Sequence, residues 1–182
     1  MFEYLECFDK ILVTGCQRTG TTICSHIIAK DLGYKHIDED EFDVHFQNKF
    51  EKIIRESSNI VIHCPGMSRN IHKYSNDQTA IVWMLRNKDD VINSRNRIFW
   101  QDNREKNKYM FDHIVPTGDI YDIKNWYWQT YQKSNCKNTY EIEYESLKDH
   151  RLWLDKSVRN SFRNRQWKRN GFWYWFNKLF GW

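Results

Sequence analysis

Two glycines with four residues between them mark the first stretch able to do chemistry: Gly15-Cys16-Gln17-Arg18-Thr19-Gly20-Thr21-Thr22. It follows a short apolar run, residues 10–14, and leads into residues with helical spacing. A strand–loop–helix of this kind cradles anions, because glycines let the backbone wrap and successive N–H groups at the helix start converge on one point. A plain tight turn is the other reading of the same residues. The ATP-binding form of the loop carries lysine after its second glycine, where the ammonium reaches the β- and γ-phosphates. Here Thr21 holds that place, and a cation sits inside the loop instead, as Arg18. A γ-phosphoryl transfer would lose its main positive clamp, which disfavours ordinary kinase chemistry.

Two later stretches carry further reactive types. In Leu85-Arg86-Asn87-Lys88-Asp89-Asp90-Val91-Ile92-Asn93-Ser94-Arg95, an arginine follows an apolar run and a serine comes eight residues on. A guanidinium offers paired donors to a phosphate and a hydroxyl adds one more. Alone, Arg86 would read as half of a structural ion pair and Ser94 as an ordinary helix residue. Val61-Ile62-His63-Cys64-Pro65 ends a strand-like run in histidine. The carboxyl ends of parallel strands are where α/β ligand sites form, and an imidazole suits proton abstraction near neutral pH. The remaining histidines, His26, His36, His45, His72, His113 and His150, lack metal-ligand spacing and read as surface or packing residues.

The elements that must position these groups alternate. Apolar runs at 10–14, 59–63 and 79–85 predict strands, as does the alternating Thr139-Tyr140-Glu141-Ile142-Glu143-Tyr144, and residues 34–37 read as another ahead of an acidic run. The near-continuous apolarity of 79–85 suits a central parallel strand covered on both faces. Ile23, Ile27, Ile28 and Leu32 predict a helix capped by Gly33, and Phe42, Phe46, Phe50, Ile53 and Ile54 predict one face of another. A polar helix is expected from about residue 89 to 105, and Ile120, Ile123, Trp126, Tyr127 and Tyr131 share a helical face. The expectation is α/β: a single three-layer domain over 1–182, with a mostly parallel central sheet of about five strands of P-loop NTPase type.

In that order, the three motifs resemble the PAPS-dependent sulfotransferases. Gln17-Arg18-Thr19-Gly20-Thr21-Thr22 is similar to the family's Pro-Lys-Ser-Gly-Thr-Thr loop, which holds the 5′-phosphosulfate of the donor. The resemblance implies that Arg18 replaces the family lysine beside the bridging oxygen, that Thr19, Gly20, Thr21 and Thr22 hydrogen-bond the 5′-phosphate, and that Gln17 belongs to the same cofactor-binding loop. Residues 85–95 are similar to the family's 3′-phosphate motif, which would make Arg86 and Ser94 the 3′-phosphate anchors. His63, 23 residues before Arg86, would be the general base. Glu143-Tyr144-Glu145-Ser146-Leu147 looks like a strand end that packs beneath the nucleotide site in the family. The basic stretch 162–171 is loosely similar to the family's C-terminal signature, so Arg163 and Arg165 are further 3′-phosphate candidates; a solvated basic helix face is the alternative. The departures are Gln17 for proline, Ile23 where many members stack tryptophan on adenine, and Lys88-Asp89 for Pro-Lys. The implied reaction moves a sulfuryl group in line from PAPS to an acceptor hydroxyl or amine, releases PAP and needs no metal.

Length and composition set the outer bounds. A chain of 182 residues, 40% hydrophobic and 29% charged, suits one folded domain. No apolar run approaches the ~20 residues of a membrane span. The acid-bearing N-terminus lacks signal-peptide character, and five cysteines without a C-x-x-C pair read as reduced, buried thiols. A cytoplasmic enzyme acting on a small-molecule or carbohydrate acceptor is expected, without a nucleic-acid partner. Charge is uneven: net −3 over residues 1–150 and +7 over 151–182. That basic segment ends in the aromatic stretch 171–182, for which packing, a dimer contact, stacking on single-stranded nucleic acid or a membrane-interface placement all remain open. Oligomeric state and acceptor identity are not legible. The alternatives are a nucleoside or small-molecule kinase lacking the loop lysine, since residues 32–42 resemble the acidic second-strand region of P-loop kinases, and a non-catalytic nucleic-acid or membrane-binding module.

Overall fold

The computed structural model describes residues 1–42, 47–68, 70–96 and 136–154. The chain divides into two compact units, Met1–Glu145 and Ser146–Trp182, the second described through Leu154, where the helical turn Arg151–Leu154 ends. The described residues of the first unit form five strands: β1 Lys10–Gly15, β2 Lys35–Ile37, β3 Ile60–His63, β4 Thr79–Leu85 and β5 Thr139–Glu143. They form one sheet in the order β2-β3-β1-β4-β5, parallel at every pairing. Among the described residues three helices accompany it: α1 Thr21–Leu32, α2 Gln47–Glu56 and α3 Lys88–Asn96. The architecture is α/β, with a central all-parallel sheet.

Strand parity decides what lies on each face. Leu12 pairs with Ile62 and Ile81, and this row joins Phe42, Phe50, Ile71, Tyr74, Trp83 and Val91 in one buried cluster. The opposite row, Ile11 with Val61 and Ala80, then Val13 with His63 and Val82, is buried as well. Helix α1 lies against β1, β2 and β3 on that side, burying Cys24, Ile27 and Ile28. Because β1, β3 and the interior of β4 are covered on both faces, continuous apolarity there beats alternation.

Local chemistry sets the boundaries. Gly33 closes α1 in the left-handed conformation (φ 69°), its N–H donating to the Ala29 carbonyl. Asn59 and Asn138 take positive φ (52° and 49°) immediately before β3 and β5, a conformation asparagine tolerates. Asn87 starts α3: its side-chain oxygen accepts the Asp89 N–H at 2.8 Å.

One expected helix is split. Phe42 does not share a helix with Phe50. It follows the 3-10 turn Glu39–Glu41, which Asp38 and Glu41 lock in a reciprocal capping box, and only then meets Phe50 edge-on at 4.9 Å between centroids. Short acidic side chains bonding to nearby backbone N–H groups compete with helix extension. Phe46, the second half of the expected helix 89–105 and the aromatic stretches at 120–131 and 171–182 lie outside the described residues. Cys16, Cys24 and Cys64 are buried as expected, whereas Cys7 is exposed. No helix among the described residues is long and apolar enough to cross a membrane.

Candidate functional site

Each of the five strands delivers one residue to the same end of the sheet: Arg18 after β1, Asp38 after β2, His63 at the end of β3, Arg86 after β4 and Tyr144 after β5. The connection leaving β1 runs toward β2, while those leaving β3 and β4 run the opposite way. Such a reversal opens a crevice at the strands' carboxyl ends, and loop 15–20 occupies it.

The loop is closed from within. The Cys16 carbonyl accepts both the Thr19 hydroxyl at 2.6 Å and the Thr19 N–H at 3.2 Å. Gly15 (φ 137°) lies so close to β4 that a Cβ would stand 2.8 Å from the Met84 carbonyl oxygen. Gly20 (φ 92°) is the N-cap of α1 and, having no side chain, supplies no cap to the first-turn N–H groups. A Cβ on Gly20 would overlap the Tyr144 ring. Both glycines are therefore required by conformation and by close approach.

Arg18 also adopts positive φ, 73°, a conformation that costs a residue with a Cβ about 1–2 kcal/mol. Two contacts hold it there. Its Nε and Nη2 donate to the Ser94 Oγ at 3.2 and 3.1 Å, and Arg86 Nη1 donates to its carbonyl at 3.1 Å. Arg86 in turn lies over the Tyr144 ring, 3.9 Å from the centroid, a favourable cation–π arrangement. Arg18, Arg86 and Ser94 thus form one cluster on the loop, in which the expected 3′-phosphate pair braces the expected 5′ cation.

On the other flank, parity places His63 on the face covered by α1, so its ring meets the first turn of that helix. Nε2 lies 3.0 Å from Thr21 Oγ1 and 3.2 Å from Thr22 Oγ1. Nδ1 lies 2.9 Å from Asp38 Oδ1. Burial alone would raise the Asp38 carboxyl, but the hydrogen bond and charge of His63, the Glu39 N–H and nearby His36 hold it well below the usual carboxylate range. Glu39 Oε1 accepts the Gly66 N–H at 2.6 Å, tying the turn after β2 to the one after β3.

The expected residues Arg18, Thr19, Gly20, Thr21, Thr22, His63, Arg86 and Ser94 are brought to one end of the sheet, and Gln17 lies half-buried in the loop beside them. Ile23 is half-buried at the start of α1. Arg163 and Arg165 lie outside the described residues. Two participants were not singled out from sequence. Asp38 was hidden in the acidic run 38–41, and its signal was position, directly after a strand. Tyr144 was seen only as part of a packing motif. His36 and His26 stack at 3.7 Å between centroids, and His36 Nε2 lies 3.0 Å from the Ser25 hydroxyl. Among the described residues no group of three or more His, Cys, Asp or Glu side chains would hold a metal ion.

No family model and no curated protein sequence matches the chain. Among solved structures it is similar to the YorR protein of Bacillus subtilis in complex with phosphorylated GDP, at 12% identity over 88% of this chain and 97% of that one, with a TM-score of 0.42. It is also similar to an unliganded sugar kinase from Janibacter sp. HTCC2649, at 12% identity over 84% of this chain and 97% of that one, again with a TM-score of 0.42.

Proposed function

We propose that the chain is a transferase whose donor is a phosphorylated nucleotide held in loop 15–22. One observation carries the reading: a glycine-bounded loop leading into α1, with an imidazole–carboxylate pair on one flank and two guanidiniums on the other. The loop N–H groups and Arg18 would stabilise charge growing on the leaving phosphate, a preorganised electrostatic effect. Arg86 and Ser94 would hold the loop in shape and supply position. His63 would take the proton of the acceptor.

Each of two donor chemistries has one observation in its favour. For phosphoryl transfer, the alternative small-molecule or nucleoside kinase, it is the ionised Asp38 after β2, one imidazole away from Thr22. Kinase chemistry requires Mg²⁺ bridging the donor phosphates. For sulfuryl transfer from PAPS, as the sulfotransferase-like motifs imply, it is Thr21 in place of lysine together with the Arg18–Ser94–Arg86 cluster. A sulfuryl group carries less charge than a phosphoryl group and does not call for the missing clamp.

Thermal shift with PAP, with ADP and with ATP plus Mg²⁺ tests the reading. Stabilisation by at least one of them is expected. Preference for PAP over ADP selects the sulfuryl donor, and preference for magnesium-ATP selects the phosphoryl donor. Indifference to all three rejects nucleotide-dependent transfer.

A further inference from the structure

The imidazole that would serve as base is already engaged, and its partners belong to the donor loop. An ionised carboxylate has no proton to give, so the Asp38–His63 bond requires Nδ1 to carry the hydrogen. In the neutral ring Nε2 is then the acceptor, with a single in-plane lone pair. Two hydroxyls crowd that lone pair, Thr21 Oγ1 at 3.0 Å and Thr22 Oγ1 at 3.2 Å. Each has one proton to donate, and the same threonines open the helix against which an anion would rest.

From this juxtaposition we propose that the site is a donor-gated base. The Thr21 and Thr22 hydroxyls engage His63 Nε2. An anion in the loop takes those O–H donors, because a hydrogen bond to a charged oxygen is stronger than one to a neutral nitrogen. Nε2 is thereby released for the acceptor's proton. Asp38 is the positioning residue: it fixes which nitrogen is released. Acceptor deprotonation would consequently follow donor binding, and the base would stay masked while no donor is present. The inference deepens the transferase reading and rests on it for the identity of the anion.

The test is 15N NMR of the full chain labelled in histidine, with the His63 signals assigned by their loss in His63→Gln. At a pH where the ring is neutral, the chain alone should show a protonated Nδ1 and a pyridine-type, hydrogen-bonded Nε2. PAP, or inorganic pyrophosphate as a minimal probe, should move Nε2 toward the position of a non-bonded nitrogen while Nδ1 stays protonated. The double variant Thr21→Val, Thr22→Val should start at that position. Asp38→Ala should lose the single tautomer, and Asp38→Asn, which keeps an acceptor oxygen, should retain it. Persistence of the Nδ1–H tautomer in Asp38→Ala overturns the positioning role. Should Asp38→Ala fail to fold, the wild-type titration decides alone. An anion that binds while Nε2 stays fixed overturns the gate and leaves the transferase reading standing. Pyrophosphate moving Nε2 while no nucleotide binds supports the gate and rejects that reading. Failure of every anion to bind rejects both.

Discussion

At the scale of single residues, the site depends on positions whose type is forced by geometry. Gly20 combines φ of 92° with a Tyr144 ring where a Cβ would lie. Gly20→Ala should therefore destabilise the fold by about 1–3 kcal/mol and abolish anion binding, because either the loop or Tyr144 must move. A urea midpoint unchanged from wild type would show that the close approach is dispensable. Asp38 makes a different prediction, one of pH. Its folded carboxyl lies below the ordinary range, so the unfolded chain takes up the proton first as pH falls. The stabilisation is complete above about pH 4–5 and is lost progressively below the unfolded value of about 3.9. Asp38→Asn should cost about 1.5–3 kcal/mol at pH 7, the scale of a hydrogen bond to a charged group. It should also flatten the acid limb of a plot of denaturation midpoint against pH. Parallel limbs for the two proteins would assign that acid sensitivity to other carboxylates.

At the scale of elements, α2 illustrates how much of a helix is packing. Phe50 is fully buried, edge-on to Phe42 at 4.9 Å and to Tyr74 at 4.8 Å. Burial, with Glu51 beside it, pushes the Tyr74 hydroxyl up to about 12, so the ring stays neutral. Phe50→Ala should cost about 3–5 kcal/mol, read as a lower denaturation midpoint with loss of helical circular dichroism. A change below 1 kcal/mol, smaller than any buried aromatic truncation of that range, would mean that α2 is held by other contacts. Element positions were legible because β1, β3 and β4 are unbroken apolar runs ending at Gly15, at His63 before Pro65, and at Leu85 before Arg86. The helix expected through Phe42 failed because the Asp38–Glu41 capping box is a local competition that apolar periodicity does not register.

At the scale of the molecule, sheet order is what assembles the site. With β1 between β3 and β4, residues as far apart as Arg18 and Ser94 share a hydrogen bond. A ligand at a hundredfold excess over its Kd stabilises the folded state by about 2.7 kcal/mol. For a chain of this size that is a melting shift of roughly 5–10 °C. PAP, ADP and magnesium-ATP should be separated on that scale, and the ranking, rather than any single shift, identifies the donor chemistry.

The order of types along the chain was enough to determine a parallel α/β sheet, a glycine-bounded loop and the set of cationic and imidazole groups at the strand ends. Hydrophobic period and turn chemistry are local properties, and local properties survive in one dimension. Who meets whom came from the folded chain: Ser94 on Arg18, Arg86 on Tyr144, and Asp38 behind His63, whose other nitrogen faces Thr21 and Thr22. Those pairings depend on strand order and on which face a residue occupies. A shift of one position in register turns a side chain to the opposite side, and no spacing within a single segment encodes the register between two.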